Sequence, residues 1–127
     1  MSRIYLVDGT NLARGADYDP RFPAMEQART EELVALVARL AERMGERAEV
    51  EIFFDGPRRA VGEPGRARLR FSAEASADDM IQGKVRLIRS KGRGVVVATE
   101  DGDLGRDVRS EGAQVIGKEE LWHLCGG

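Results

Sequence analysis

The chain has 127 residues, 42% apolar and 33% charged, with 20 Lys and Arg against 22 Asp and Glu for a net charge of −2. That length supports a real core without disulfides or a structural metal, and the balance excludes a disordered chain. No apolar run approaches the roughly 20 residues of a bilayer span, and the lone Cys125 leaves neither an internal disulfide nor a Cys/His cluster for zinc. The expectation is one domain over residues 1–127, in the cytoplasm.

Ile4 to Val7 is a short buried-strand signal stopped by Asp8-Gly9, a strong turn pair. No basic region precedes a long apolar segment here, so the start reads as a strand and not as a leader. Residues 13–23, with Gly15, Asp17, Asp19, Pro20 and Pro23, are expected to form a loop. The clearest helix follows. Thr30 is its expected cap, Leu33, Leu36, Val37, Leu40 and Met44 recur at helical spacing, and Gly45 stops it. Val50, Ile52 and Phe54 mark a second strand that runs into Asp55-Gly56-Pro57. After a turn at 62–65, Arg68 to Phe71 alternates polar and apolar residues, as a strand with one wet face does. Ser76 is placed to cap a helix whose buried stripe is Ile81, Val85 and Ile88. Val95 to Ala98 has the continuous apolar character of a central parallel strand. A short helix at 104–111, a strand at 114–116 and a helix at 119–124 complete the chain. Leu121 and Trp122 are expected in the core, and Cys125 as a packed or fraying terminal residue.

Strands alternating with helices predict an α/β fold, a three-layer α/β/α sandwich around a mainly parallel central sheet. The carboxyl ends of parallel strands share one edge, where ligands bind. Asp8, Asp55 and Asp101 each lie at or just past a strand end, and Asp78 opens the helix after the Arg68–Phe71 strand. Taken singly, Asp8-Gly9 and Asp55-Gly56 are turns, Asp78 and Asp79 favour a helix N-terminus, and Asp101 or Asp103 is a cap. Taken together, they share a sheet edge and predict one acidic cleft.

Carboxylates gathered without cations repel one another by roughly 4 kcal/mol per pair at about 4 Å, for an effective dielectric near 20. Such a cluster calls for a hard cation, Mg²⁺ or Mn²⁺, held by Asp8, Asp55, Asp78 and Asp101. The chemistry that fits is hydrolysis of a phosphodiester. Two basic stretches accompany the acids: Arg58, Arg59, Arg66, Arg68 and Arg70, then Lys84, Arg86, Arg89, Lys91 and Arg93. They read as solvated surface or as the phosphate-attracting surface a nuclease needs. Asn11 is a helix cap, or it holds metal-bound water or the Asp8 carboxylate. Thr99 offers a hydroxyl to a carboxylate or phosphate, and His123 is too isolated for general-base work.

V-D-G-T-N-L, F-F-D-G, S-A-D-D-M-I and V-V-V-A-T-E-D-G-D-L, followed by G-A-Q-V-I-G-K-E-E-L-W, resemble the NYN domain family. Its YacP-type branch of small PIN-like ribonucleases is especially similar. The resemblance spans nearly the whole chain and implies a PIN-like fold and metal-dependent RNA cleavage. By position it carries the family's acids onto Asp8, Asp55, Asp78 and Asp101, sets Asn11 beside Asp8, and matches Asp103 to a further acid. Asp79 is secondary, since it points about 100° from Asp78 on a helix. Thr10 departs from the pattern, because relatives commonly carry an aromatic residue there.

The leading expectation is a metal-dependent endoribonuclease. Asp8, Asp55, Asp78 and Asp101 hold one or two ions, and Asn11, Thr99 and Asp103 orient ligands or water. Arg58, Arg59, Arg66 and Arg68 contact the RNA backbone, in ribosome-associated mRNA or rRNA among other targets, by a monomer or a homodimer. The alternative is a non-catalytic RNA-binding or ribosome-associated module on the same fold. A third candidate is a phosphoacceptor receiver domain, with Asp55 as acceptor and Lys118 after the last strand.

Overall fold

The computed structural model describes residues 2–126. Five strands, β1 (Arg3–Asp8), β2 (Ala48–Phe54), β3 (Arg68–Phe71), β4 (Val96–Ala98) and β5 (Gln114–Ile116), form one sheet in the order β3-β2-β1-β4-β5. Every pairing is parallel. Five α-helices flank it: α1 (Gly9–Arg14), α2 (Pro23–Met44), α3 (Ala77–Ser90), α4 (Gly102–Ser110) and α5 (Lys118–Leu124).

Alternation along the strands builds two cores. Tyr5, Val7, Val50, Ile52 and Phe54 face α1, α2 and α5 through Leu12, Val34, Val37, Leu40 and Leu121. Ile4, Leu6, Phe53 and Val97 face α3 and α4 through Ile81, Val85, Ile88, Leu104 and Val108. The sandwich is therefore the three-layer one expected from the alternation of elements. On the α3 face β2 also buries Glu51, which pairs with Arg70 Nε at 2.8 Å and Lys84 Nζ at 3.4 Å. The crossover from β2 to β3, residues 55–67, contains no helix. It packs against α2 through buried Val61 and a hydrogen bond from Gln27 Nε2 to the Ala60 carbonyl, 2.9 Å.

Four local expectations are corrected. Asp8-Gly9 is not a turn, because α1 starts at Gly9 directly behind the strand. The long helix begins seven residues before Thr30, with Pro23 in its first turn, so Thr30 is a buried interior residue and not a cap. The loop expected at 13–23 shrinks accordingly to the segment between Arg14 and Pro23. Trp122 is 49% exposed, whereas Leu121 is buried.

The strand order decides where a ligand can sit. The chain moves outward from β1 through β2 to β3, then returns through α3 to the other side of β1. That reversal leaves a crevice at the carboxyl ends of β1 and β4. It also overturns the receiver-domain candidate, whose doubly wound order is 2-1-3-4-5.

Candidate acidic site at the sheet edge

Asp8 ends β1, Asp55 follows β2, and Thr99 and Asp101 follow β4, so the sheet alone brings them to one edge. Hydrogen bonds from loops then fix each position. Thr10 Oγ1 accepts the Asp55 backbone N–H at 2.8 Å, tying the start of α1 to the end of β2. Asp55 Oδ1 accepts the N–H of Ala77, the first residue of α3, at 2.7 Å. Ser76 caps the same helix by accepting from Asp79 N–H at 3.0 Å, as its sequence position suggested. These two contacts hold Asp78 in the first turn of α3, with Asp79 exposed beside it.

Across the crevice, Thr99 Oγ1 donates to Asp8 Oδ2 at 2.8 Å and accepts the Asp101 N–H at 3.0 Å. Asp101 caps α4 through Oδ1, which accepts from Asp103 N–H at 2.9 Å and Leu104 N–H at 3.2 Å. Asn11 Oδ1 accepts the Glu100 N–H at 2.8 Å, which pins the β4–α4 loop to α1. Asn11 is thus not the cap of α1, and it reaches the Asp8 carboxylate through its backbone N–H while its side-chain amide oxygen serves the β4–α4 loop. Asp103 points outward and pairs with Arg106 at 2.7 Å.

The electrostatics register how close the acids are. Burial pushes the Asp8 carboxyl up to about 6, with the Thr99 hydrogen bond opposing and the charges of Asp78 and Asp101 adding to the rise. Asp78 is raised by burial first, then by Asp101, Asp55, Asp79 and Asp107. Among the described residues no basic side chain pairs with Asp8, Asp55, Asp78 or Asp101, and the Asp78 carboxylate takes no hydrogen bond from another described residue. A concentration of negative charge left uncompensated is the donor chemistry of a hard divalent cation. Among the described residues no three His, Cys, Asp or Glu side chains converge enough to ligate one ion directly. The fit is to an ion that keeps most of its water and takes one or two carboxylates, as Mg²⁺ usually does.

The four arginines expected to act together are split. Arg58 and Arg59 follow Asp55 on the acidic edge, 5.6 and 5.7 Å from the Phe71 ring, with Arg59 also donating to the Asp55 carbonyl at 2.9 Å. Arg66 and Arg68 instead line a cavity of about 590 Å³ with Ile4, Glu49, Glu51, Lys84, Lys91 and Arg93, toward the amino ends of the strands. The crossover between β2 and β3 separates the pairs: Arg58 and Arg59 leave one sheet edge, and Arg66 and Arg68 enter from the other.

Cys125 is buried and its thiol is pushed up to about 11 by that burial, so it is no nucleophile at neutral pH. Thr10 is the residue whose role the sequence obscured. Seen as a missing aromatic, it is a buried hydroxyl that fixes Asp55. Thr10→Val is expected to cost about 1 kcal/mol, the value of one such hydrogen bond, lowering Tm by several degrees in thermal unfolding.

An all-parallel α/β/α sandwich with carboxylates at the crevice of its carboxyl edge defines a PIN-like, nuclease-related domain. Its sequence matches the model of the YacP-like NYN domain over residues 5–125, and the chain belongs to that family. Two crystal structures of Rae1 (YacP) from Bacillus subtilis share the fold. One, a tryptophan-to-leucine variant, superposes with a TM-score of 0.76 at 20% identity, covering 98% of this chain and 75% of that one. The other gives 0.72 at 23% identity, with 97% and 73% covered. No curated protein sequence matches the chain. Among the described residues no helix is long and apolar enough to cross a membrane.

Proposed function

We propose that the chain is a divalent-metal-dependent endoribonuclease that hydrolyses RNA phosphodiester bonds at the acidic edge. The observation that carries this reading is the set of four unpaired carboxylates, Asp8, Asp55, Asp78 and Asp101, gathered at one crevice while Arg58 and Arg59 flank it. When bound, Mg²⁺ or Mn²⁺ supplies positive charge against phosphate oxygens and makes a water more acidic. The protein's own part is positional. Asp8 and Asp78 face the crevice as the acceptors most in need of a cation. Thr99 holds the Asp8 carboxylate, Asp55 and Asp101 are fixed by the helices they cap, and Asn11 holds the loop that carries Asp101. Arg58 and Arg59 draw in the backbone without reading its sequence.

The test is purified protein with end-labelled single-stranded and structured RNA, in Mn²⁺, Mg²⁺ or EDTA. Cleavage is expected with either ion, none in EDTA, and a large loss in Asp78→Asn. Cleavage that survives both Asp8→Asn and Asp78→Asn would sink the assignment. RNA that binds with a steep salt dependence yet stays intact in saturating Mn²⁺ would assign the chain to the non-catalytic RNA-binding class instead.

A further inference from the structure

A cavity of about 700 Å³ opens between α2 and α5, walled by residues of α1 and the β4–α4 loop. Its floor is apolar, with Leu12, Leu33 and Leu36 all buried. Trp122, the only tryptophan of the chain, stands on its wall half exposed to water. A large aromatic face left in solvent beside an apolar floor is the arrangement on which a nucleobase stacks.

The charges around the cavity select for a base over a phosphate. Arg29 is spent on Asp17, with contacts of 2.6 and 2.7 Å, which leaves Lys118 as the free cation among the lining residues. Against it stand Glu32, which has no ion-pair partner among the described residues, and Glu100. Glu100 uses Oε1 to accept the Lys118 N–H at 2.9 Å and keeps Oε2. Free carboxylates repel phosphate oxygens but accept readily from the amino and imino N–H groups on a base edge. The Lys118 ammonium is left for a phosphate outside the mouth.

The cavity adjoins the acidic edge through a shared wall. Asn11 and Glu100 line it, and Asn11 Oδ1 takes the Glu100 N–H. Thr99 lies 3.4 Å from the same oxygen and donates to Asp8. One residue and one hydrogen bond therefore separate the cavity wall from the carboxylate at the centre of the crevice.

We propose that this cavity receives one unpaired nucleobase of the RNA strand crossing the acidic edge, stacked on Trp122 with its polar edge toward Glu32 and Glu100. The inference rests on the ribonuclease reading and deepens it: the substrate is single-stranded at the cleavage site, because a paired base cannot enter. Trp122 is a positioning residue and Glu32 and Glu100 determine which bases are accepted.

The sole indole makes the test direct. In EDTA, a short single-stranded RNA is titrated into the protein while tryptophan emission reports the cavity and anisotropy of a label on the RNA reports binding. Saturable quenching that tracks the anisotropy is expected, with no quenching by a blunt duplex of the same sequence. Trp122→Ala is expected to weaken single-strand binding roughly tenfold, the scale of one base–aromatic stack, and Trp122→Phe to restore most of it. RNA that binds without changing the emission, or that binds Trp122→Ala as tightly as the parent, overturns the inference; so does an RNA that fails to bind. If cleavage requires Asp8 while emission stays unchanged, the nuclease assignment stands and the base pocket alone falls.

Discussion

Asp8→Asn is expected to reduce RNA cleavage on the order of 10³-fold or more, and to make the metal-free protein more stable. Under the proposed function, the loss follows from removing a carboxylate that would hold the ion, whose electrostatic contribution to phosphoryl chemistry is several kcal/mol. The gain follows from the burial and acidic neighbours that lift the Asp8 carboxyl from 3.8 to about 6. Because the folded state holds this proton more tightly than the unfolded state, the contribution of Asp8 to stability is fully present below about pH 4 and is lost as pH rises through about 6. At neutral pH the penalty is ~3 kcal/mol, which a neutral amide removes while its oxygen still accepts from Thr99. Thermal unfolding in EDTA between pH 4 and 8 measures it: the parent loses stability across that window and the variant does so less. Mg²⁺ or Mn²⁺ should raise the parent's Tm and leave the variant's nearly unchanged. If Asp8 holds the ion as proposed, ion and proton compete for it, and the ion's affinity for the parent should rise as pH passes 6. A variant that keeps its cleavage and gains no stability would remove Asp8 from the site.

Gly9→Ala is expected to cost about 3 kcal/mol and roughly 10 °C in Tm, a large effect for one methyl group. A Cβ there would lie 2.5 Å from Phe54 Cε1 and 2.9 Å from both Phe54 Cδ1 and the Phe53 carbonyl oxygen. Neither neighbour can retreat. Phe54 is fully buried and stacked 5.7 Å from Phe71, and the Phe53 backbone is in the sheet opposite Asp8. Relief requires α1 to lift from β2, which carries Thr10 away from the Asp55 N–H and Asn11 away from Glu100. Denaturant unfolding gives the stability and cleavage assays give the second consequence. Wild-type stability in both would show that α1 adjusts freely, against the close packing described.

Those residues also mark what a sequence can disclose. Apolar runs and their periods located all five strands, since burial on a parallel sheet writes itself directly into composition. The acids at strand ends were equally visible. Gly9 was not, because Asp-Gly has local turn chemistry, while the actual reason for the glycine is a phenylalanine 45 residues further on. Thr30 was mistaken for a cap because a threonine directly before the apolar stripe has capping chemistry, although Ala24 to Arg29 before it are good helix formers and Pro23 is the true start signal. Leu121 and Trp122 are adjacent on a single helix about 100° apart, so one could face the core and the other could not. Which of them does so depends on how α5 lies, a tertiary fact. The division of Arg58 and Arg59 from Arg66 and Arg68 likewise needed the path of the crossover. Thr10, Thr99 and Asn11 act through partners 45 to 91 residues away, a separation at which no local pattern operates.

The two outer strands have a bearing on how the molecule keeps company with itself. β3 has four residues and β5 three, so each rim of the sheet presents only a brief row of unpaired backbone groups. Along β3 the arginine at 68 has no acidic partner among the described residues, and a second copy arriving in register would bring its own. Strand-by-strand growth into fibres therefore finds little to start from on either side. A protein that concentrates repulsion at one end of its sheet keeps both rims short, and the β3 rim charged as well, so neither offers a long template to a second copy.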